Sequence, residues 1–173
     1  MSAVLNRNIC FIGGGNMAQA LIGGLISRGL PSTRITVSDP VEQVRHLLAE
    51  KDLVVTEDNA SAIREADVVV LAVKPQVLAN VLKPLNGLFD GKLIISIVAG
   101  AEIATIAALA GSNRIVRVMP NTPALVQTGA HGLYATEAVD KEDRDLASQV
   151  LAGQGVTVGV GEEEEIGAVT AEW

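Results

Sequence analysis

The chain has 173 residues, 49% of them hydrophobic, 19% charged and only 2% aromatic, with a formal net charge of −7. That is enough apolar material for one compact α/β unit with an aliphatic core, and the acidic balance argues against nucleic acid or an anionic membrane surface as a partner. The single cysteine, Cys10, rules out an internal disulfide, no apolar run approaches the ~20 residues of a membrane span and no signal peptide is recognisable, so the expected location is cytoplasmic.

In chain order, Ile9 to Ile12 read as a first strand. A helix follows over Asn16 to Arg28, with Met17, Leu21, Ile22 and Leu25 on one face and Gly29 and Pro31 ending it. Arg34 to Ser38 is the second strand, and Pro40 stands near the start of a helix running to Glu50, with Val44, Leu47 and Leu48 inward. A short strand at Leu53 to Val55 and a helical segment around Ser61 to Glu65 lead to Val68 to Val73, an unbroken aliphatic run expected at the centre of the sheet. Gln76 to Leu85 read as a helix, Leu93 to Ile97 as a strand, Ile103 to Leu109 as a helix and Ile115 to Met119 as a strand. Gly129 to Ala135, a polar helix over Lys141 to Leu151 and Val156 to Val160 suggest a further edge region. Strands alternating with helices through short turns specify an α/β fold with a doubly wound, mostly parallel sheet, whose ligands bind at the carboxyl ends of the strands.

Those ends carry the chemistry. Ile12-Gly13-Gly14-Gly15-Asn16-Met17 joins a strand to a helix through glycines. Gly13 can make the tight turn, Gly15 puts no Cβ between backbone and phosphate, and Ala18 lets the helix lie close to the strand. The helix start then offers N–H groups and a positive dipole end to a diphosphate. With 17 glycines in the chain such spacing also arises by chance, so its position between strand and helix gives it weight. The other strand ends supply Ser38-Asp39-Pro40, Ala72-Val73-Lys74-Pro75-Gln76, Ser96 to Gly100, and Met119-Pro120-Asn121-Thr122-Pro123. Small residues such as Ala99 and Gly100 let a flat ring approach the backbone, and Asn121 and Thr122 offer donors and acceptors.

Four segments, IGGGNMA, AVKPQ, the SxxAG stretch and VRVMPNTP, resemble the pyrroline-5-carboxylate reductases in order and spacing. The resemblance covers essentially the whole chain to Ala171. It implies a Rossmann-like NAD(P)-binding domain over residues 1–161, and reduction of 1-pyrroline-5-carboxylate, a small-molecule substrate, to L-proline by hydride from NADP or NAD in reduced form. It also implies that Ile12 to Met17 cradle the diphosphate and that Asn59 reaches a cofactor ribose. Ala72 to Pro75 and Ile97, Val98 and Ala99 would line the nicotinamide side, with Asn121-Thr122-Pro123 flanking the reacting ring. Relatives continue into a helical half that supplies the substrate pocket and a homo-oligomer interface, so residues 162–173 are expected to begin the helix leading there, and the isolated chain to turn over poorly. Two other readings are a different dehydrogenase with the same first domain, hydroxyacid- or coenzyme F420-linked, and a non-catalytic dinucleotide-binding module.

A protonated imine is already an electrophile, so positioning carries the rate and no catalytic acid is assigned. Lys74 either helps hold a phosphate or substrate carboxylate or simply ends a strand at the surface, and its backbone is taken as the site. Asp39, 24 residues after Gly15, either holds a ribose 2′-hydroxyl, which favours NADH, or caps the helix after Pro40. Ser38 suits NADPH, and Arg45 either neutralises a phosphate or lies on a solvated helix face. His46 and His131 stand without Cys, Asp or Glu at metal-ligand spacing. Glu162 to Glu165 suit a helix N-terminus, and Asp140 reads as an N-cap with Asp143 three residues on, close to a capping box.

Overall fold

A computed structural model describes residues 6–120, 130–151 and 156–159. Its elements are β1 (Ile9–Ile12), α1 (Asn16–Ser27), β2 (Ile35–Ser38), α2 (Glu42–Ala49), β3 (Val54–Thr56), α3 (Asn59–Arg64) and β4 (Val68–Leu71). They continue with α4 (Leu78–Leu82), β5 (Leu93–Ser96), α5 (Ile103–Ala110), β6 (Ile115–Pro120), β7 (Ala130–Ala135), α6 (Lys141–Leu151) and β8 (Val156–Gly159). The strands form one sheet in the order β3-β2-β1-β4-β5-β6-β7-β8. Pairing is parallel from β3 to β6, β7 is antiparallel to β6, and β8 is parallel to β7.

Why the sheet is covered on both sides follows from the strand sequences. In IleCysPheIle and ValValValLeu every residue is buried, and successive side chains point to opposite faces. Ile9, Phe11, Val68 and Val70 therefore pack with Leu21 and Leu25 of α1, Leu48 of α2 and Leu146 and Val150 of α6. Cys10, Ile12, Val69 and Leu71 pack on the other face with Ile63 of α3, Leu82 of α4 and Ile106 of α5. Runs without polar alternation leave no face that water could wet, so each face needs its own helical layer.

Two expectations are corrected. The helix expected over Gln76 to Leu85 is broken into a 3-10 turn (Pro75–Val77), α4, and a second 3-10 turn (Lys83–Leu85). Pro84 has no N–H to donate and its ring crowds the carbonyl one turn back, which stops the α-helix. Leu47 faces solvent at 46% exposure, whereas Leu48 is buried and Val44 packs beside it. These two are spaced i, i+4, so they share a face that Leu47 leaves.

The far side of the sheet is fixed by a charge pair. Asp140 Oδ1 accepts from the Asp143 N–H (2.8 Å), the cap expected of it. Asp143 does not complete a capping box: its carboxylate is buried and accepts from Arg114 Nε (2.8 Å) and Nη2 (2.5 Å), while Arg114 Nη1 donates to the Gly91 carbonyl (3.1 Å). This ties α6 to the loops that lead into β5 and β6. Asp143→Ala leaves the guanidinium without its partner in a partly buried site and is expected to cost about 3 kcal/mol, read by denaturant unfolding. A second expectation concerns Cys10, whose thiol burial pushes up from 9.0 to about 12. Below pH 9 the thiol is protonated folded or unfolded, but between pH 9 and 12 only the unfolded chain ionises, so stability falls there. The fall should be steeper than in Cys10→Ala, and thiol reagents at pH 8 should label Cys10 only after unfolding.

Candidate functional site

The register sets the carboxyl ends of four strands level with one another: Ile12 pairs with Ser38 and with Leu71, and Leu71 with Ser96. At the centre of this row the chain crosses from β1 into α1. The Gly13 N–H donates to the Ser38 carbonyl (2.8 Å), the Ala72 N–H donates to the Ile12 carbonyl (2.9 Å), and Gly13 has φ +105°. A Cβ at Gly13 would lie 2.7 Å from the Ala72 carbonyl oxygen, so backbone packs directly on backbone here. Gly14 serves packing instead: a Cβ would meet Leu48 and Val44 at 3.0 Å and Val37 at 3.1 Å. Gly15 differs from both, since nothing lies within 4 Å of the position its Cβ would take.

Gly15 is also the N-cap of α1, and no side chain caps that helix. Its first-turn N–H groups therefore point, with the positive end of the helix dipole, into the space beside Gly15. Asn16 is exposed there, Met17 is half-buried against the core, and Ala18 is buried under the strand it was expected to approach. This arrangement fits a dinucleotide diphosphate: donors without side chains, a close approach, and the absence of a competing cap. Gln19 adds a brace that the sequence had not suggested, its Nε2 donating to the Gly14 carbonyl (2.9 Å).

Beyond β2 the structure brings Ser38, Asp39, Arg45 and Asn59 together. Ser38 is buried, and its hydroxyl donates to Asn59 Oδ1 (2.5 Å). Asn59 begins α3, whose cap is Asp58, accepting from the Ala60 and Ser61 N–H groups. Asp39 does not cap α2, one of the two roles expected of it. Its Oδ2 accepts from the Gly14 N–H (2.9 Å) and its Oδ1 from the N–H of Val41, the residue before α2, at 2.8 Å. The carboxylate thus ties the glycine loop to the β2–α2 turn and leaves α2 without a side-chain cap. Arg45 is no solvated helix-face residue: its side chain is 20% exposed and its Nη1 donates to the Asp39 carbonyl (2.8 Å). The signal for this was its place one turn into α2, six residues beyond Asp39 and within reach of the turn it covers.

On the other side of Gly13, Ala72 and Val73 are half-buried and Lys74 and Pro75 exposed. The Ile97 N–H donates to the Leu71 carbonyl (3.0 Å), and Ala99 and Gly100 are exposed, Gly100 with φ +71°. Val98 contributes backbone only, because its side chain is buried in the core under α5 and its N–H donates to Ser96 Oγ (3.3 Å). Asn121 and Thr122 lie outside the described residues. So do Glu162 to Glu165. His46 is exposed, 3.8 Å from Glu50, and among the described residues no cluster of His, Cys, Asp and Glu is placed to hold a metal ion. Two concavities lie away from the glycine loop, one beside β2 and β3 lined by Thr36, Thr56 and Arg64, the other lined by Pro75, Leu78 and Ala79 and by Gly100, Glu102 and Leu109.

Comparison with known proteins agrees with this geometry. A pyrroline-5-carboxylate reductase of Haemophilus influenzae is 47% identical over 168 residues, covering 96% of this chain and 62% of its own length. A solved pyrroline-5-carboxylate reductase of Coxiella burnetii superposes with a TM-score of 0.90 at 38% identity, covering 95% of this chain and 63% of that one. The Plasmodium falciparum pyrroline carboxylate reductase with NADP bound superposes with a TM-score of 0.84 at 27% identity, over 97% and 62%. The chain thus spans about three fifths of the length of the relatives it matches. A family model described as NADP oxidoreductase coenzyme F420-dependent matches residues 8–100, from β1 through β5 to Gly100. The chain belongs to that family of oxidoreductases, and NADP, the nicotinamide dinucleotide in its description, is a group that the glycine loop and the uncapped start of α1 fit.

Proposed function

We propose that this protein acts in proline biosynthesis as a pyrroline-5-carboxylate reductase, reducing the C=N bond of 1-pyrroline-5-carboxylate with a bound nicotinamide dinucleotide. The observation that carries this reading is the likeness to such reductases over 96% of the chain, which takes in the strand ends after β1, β4 and β5. When bound, the reduced coenzyme supplies hydride. The glycine loop and α1 hold its diphosphate, Asn59 reaches the adenosine ribose, and the shelf made by Ala72 to Pro75 and by the backbone of Ile97 to Ala99 supports the nicotinamide ring. Asn121 and Thr122 complete the ring's surroundings. No residue of this chain is asked to transfer a proton, because a substrate bound as iminium needs only hydride at carbon, and holding the two carbons in line carries the rate. Lys74 contributes through its backbone.

The reading assigns residues 1–161 to a dinucleotide-binding domain and 162–173 to the start of a helix leading into a further, helical domain that holds the substrate and forms a homo-oligomer. Its support is that the relatives are longer than the stretch they share with this chain. A cytoplasmic setting accords with a lone, buried cysteine. Among the described residues no helix is long and apolar enough to cross a membrane.

Fluorescence titration of the 173-residue chain with reduced coenzyme should saturate, and adding 1-pyrroline-5-carboxylate should oxidise the coenzyme slowly. Absence of binding overturns the reading, and full turnover overturns the division into two domains. Gly15→Ala separates fold from site: with no protein atom near the added Cβ, stability should change by less than about 1 kcal/mol, while coenzyme affinity drops at least about tenfold. Thermal unfolding and the same titration read the two effects. Gly13→Ala, at positive φ and against the Ala72 carbonyl, should lose both.

A further inference from the structure

We propose that Arg45 is the residue by which this chain discriminates for the 2′-phosphorylated coenzyme, NADPH, over NADH. The inference rests on the dinucleotide reading above and deepens it. With the diphosphate on α1 and Ile12 level with Ser38, the adenosine ribose of a bound coenzyme falls beyond the end of β2. An acid at that place ordinarily holds the ribose diol and repels a 2′-phosphate. Here the acid is drawn inward, because each oxygen of Asp39 accepts a backbone N–H, from Gly14 and from Val41, and the residue is only 9% exposed, which leaves little of the carboxylate open to a ribose.

What the same turn offers to a ligand is a guanidinium. Arg45 Nη1 donates to the Asp39 carbonyl at 2.8 Å, which folds the side chain back over the end of β2 and leaves it 20% exposed. Its contact with Glu57, at 3.8 Å, also runs through Nη1, and the Glu57 side chain is 74% exposed, so water screens that pair. Among the described residues Nε and Nη2 carry no other hydrogen bond or ion pair, and a planar fork of donors suits a phosphate better than a hydroxyl. Asn59 does not discriminate. Its Oδ1 is taken by the Ser38 hydroxyl, so it presents its amide N–H groups, which serve a hydroxyl and a phosphate oxygen alike.

The test compares Kd for NADPH and for NADH, measured by fluorescence titration of the unmodified chain, Arg45→Gln and Arg45→Lys. The unmodified chain should bind NADPH about tenfold or more tightly than NADH, and the preference should shrink as salt is raised. Arg45→Gln should weaken NADPH by about tenfold and leave NADH within about twofold, and Arg45→Lys should recover most of the loss because it keeps the charge. NADH serves as the internal control for folding of the turn. Equal weakening of both coenzymes in Arg45→Gln, or an unmodified chain that favours NADH or binds both equally, overturns the inference and leaves the dinucleotide site standing. Failure of the unmodified chain to bind either coenzyme overturns both.

Discussion

The backbone leaving β1 passes the backbone leaving β4 so closely that only a hydrogen fits between them at Gly13. The approach is possible because Gly13 takes a positive φ, and it is held by two hydrogen bonds, Gly13 N–H to Ser38 and Ala72 N–H to Ile12. Neighbouring features follow from it. It turns the chain upward into α1, so that the helix begins over the strand ends, and it makes β2 and β4 the flanks of the loop at the point where strand order reverses. A side chain here would collide with the Ala72 carbonyl and force the two backbones apart.

The three glycines of the loop therefore have three different reasons. Gly13 yields to a carbonyl, Gly14 to the side chains of Val37, Val44 and Leu48, and Gly15 to open space. Gly14 couples the site to the core: the N–H that Asp39 accepts belongs to the residue on which α2 packs. The described site is built of backbone donors and a few orienting side chains.

Local sequence foretold the elements well where their causes are local. The unbroken aliphatic run gives β4, and strand, glycines and amphipathic segment give β1 and α1. Asp140 and the polar-apolar periodicity after it fix α6 at Lys141–Leu151, as read. The misreadings come from longer range or from competing local effects. Apolar residues around Gln76 to Leu85 look helical until Pro84 interrupts them, and Leu47 is as apolar as Leu48 although only one faces the sheet. Site residues divide in the same way. The glycine loop is a contiguous pattern, whereas the Asp39 carboxylate reaches Gly14 across 25 positions and Asp143 reaches Arg114 across 29, pairings that no spacing rule announces. Val98 lies just beyond β5, where its side chain packs into the core and its N–H donates to Ser96 Oγ, a local turn that its small neighbours do not announce.

The reversal at β7 decides at what height the described chain reaches the far edge of the sheet. Pro120 pairs with His131, so β6 hands over to β7 at the edge where the cleft lies, and β8, parallel to β7, runs away from it. Gly159 pairs with Leu133 and Leu133 with Val118, one residue past the Arg117 that pairs with Ser96, so β8 ends level with the carboxyl ends of the central strands. β8 stands five strand positions across from β1, roughly 24 Å at about 4.8 Å per strand, so the two ends share a level of the sheet but not a neighbourhood.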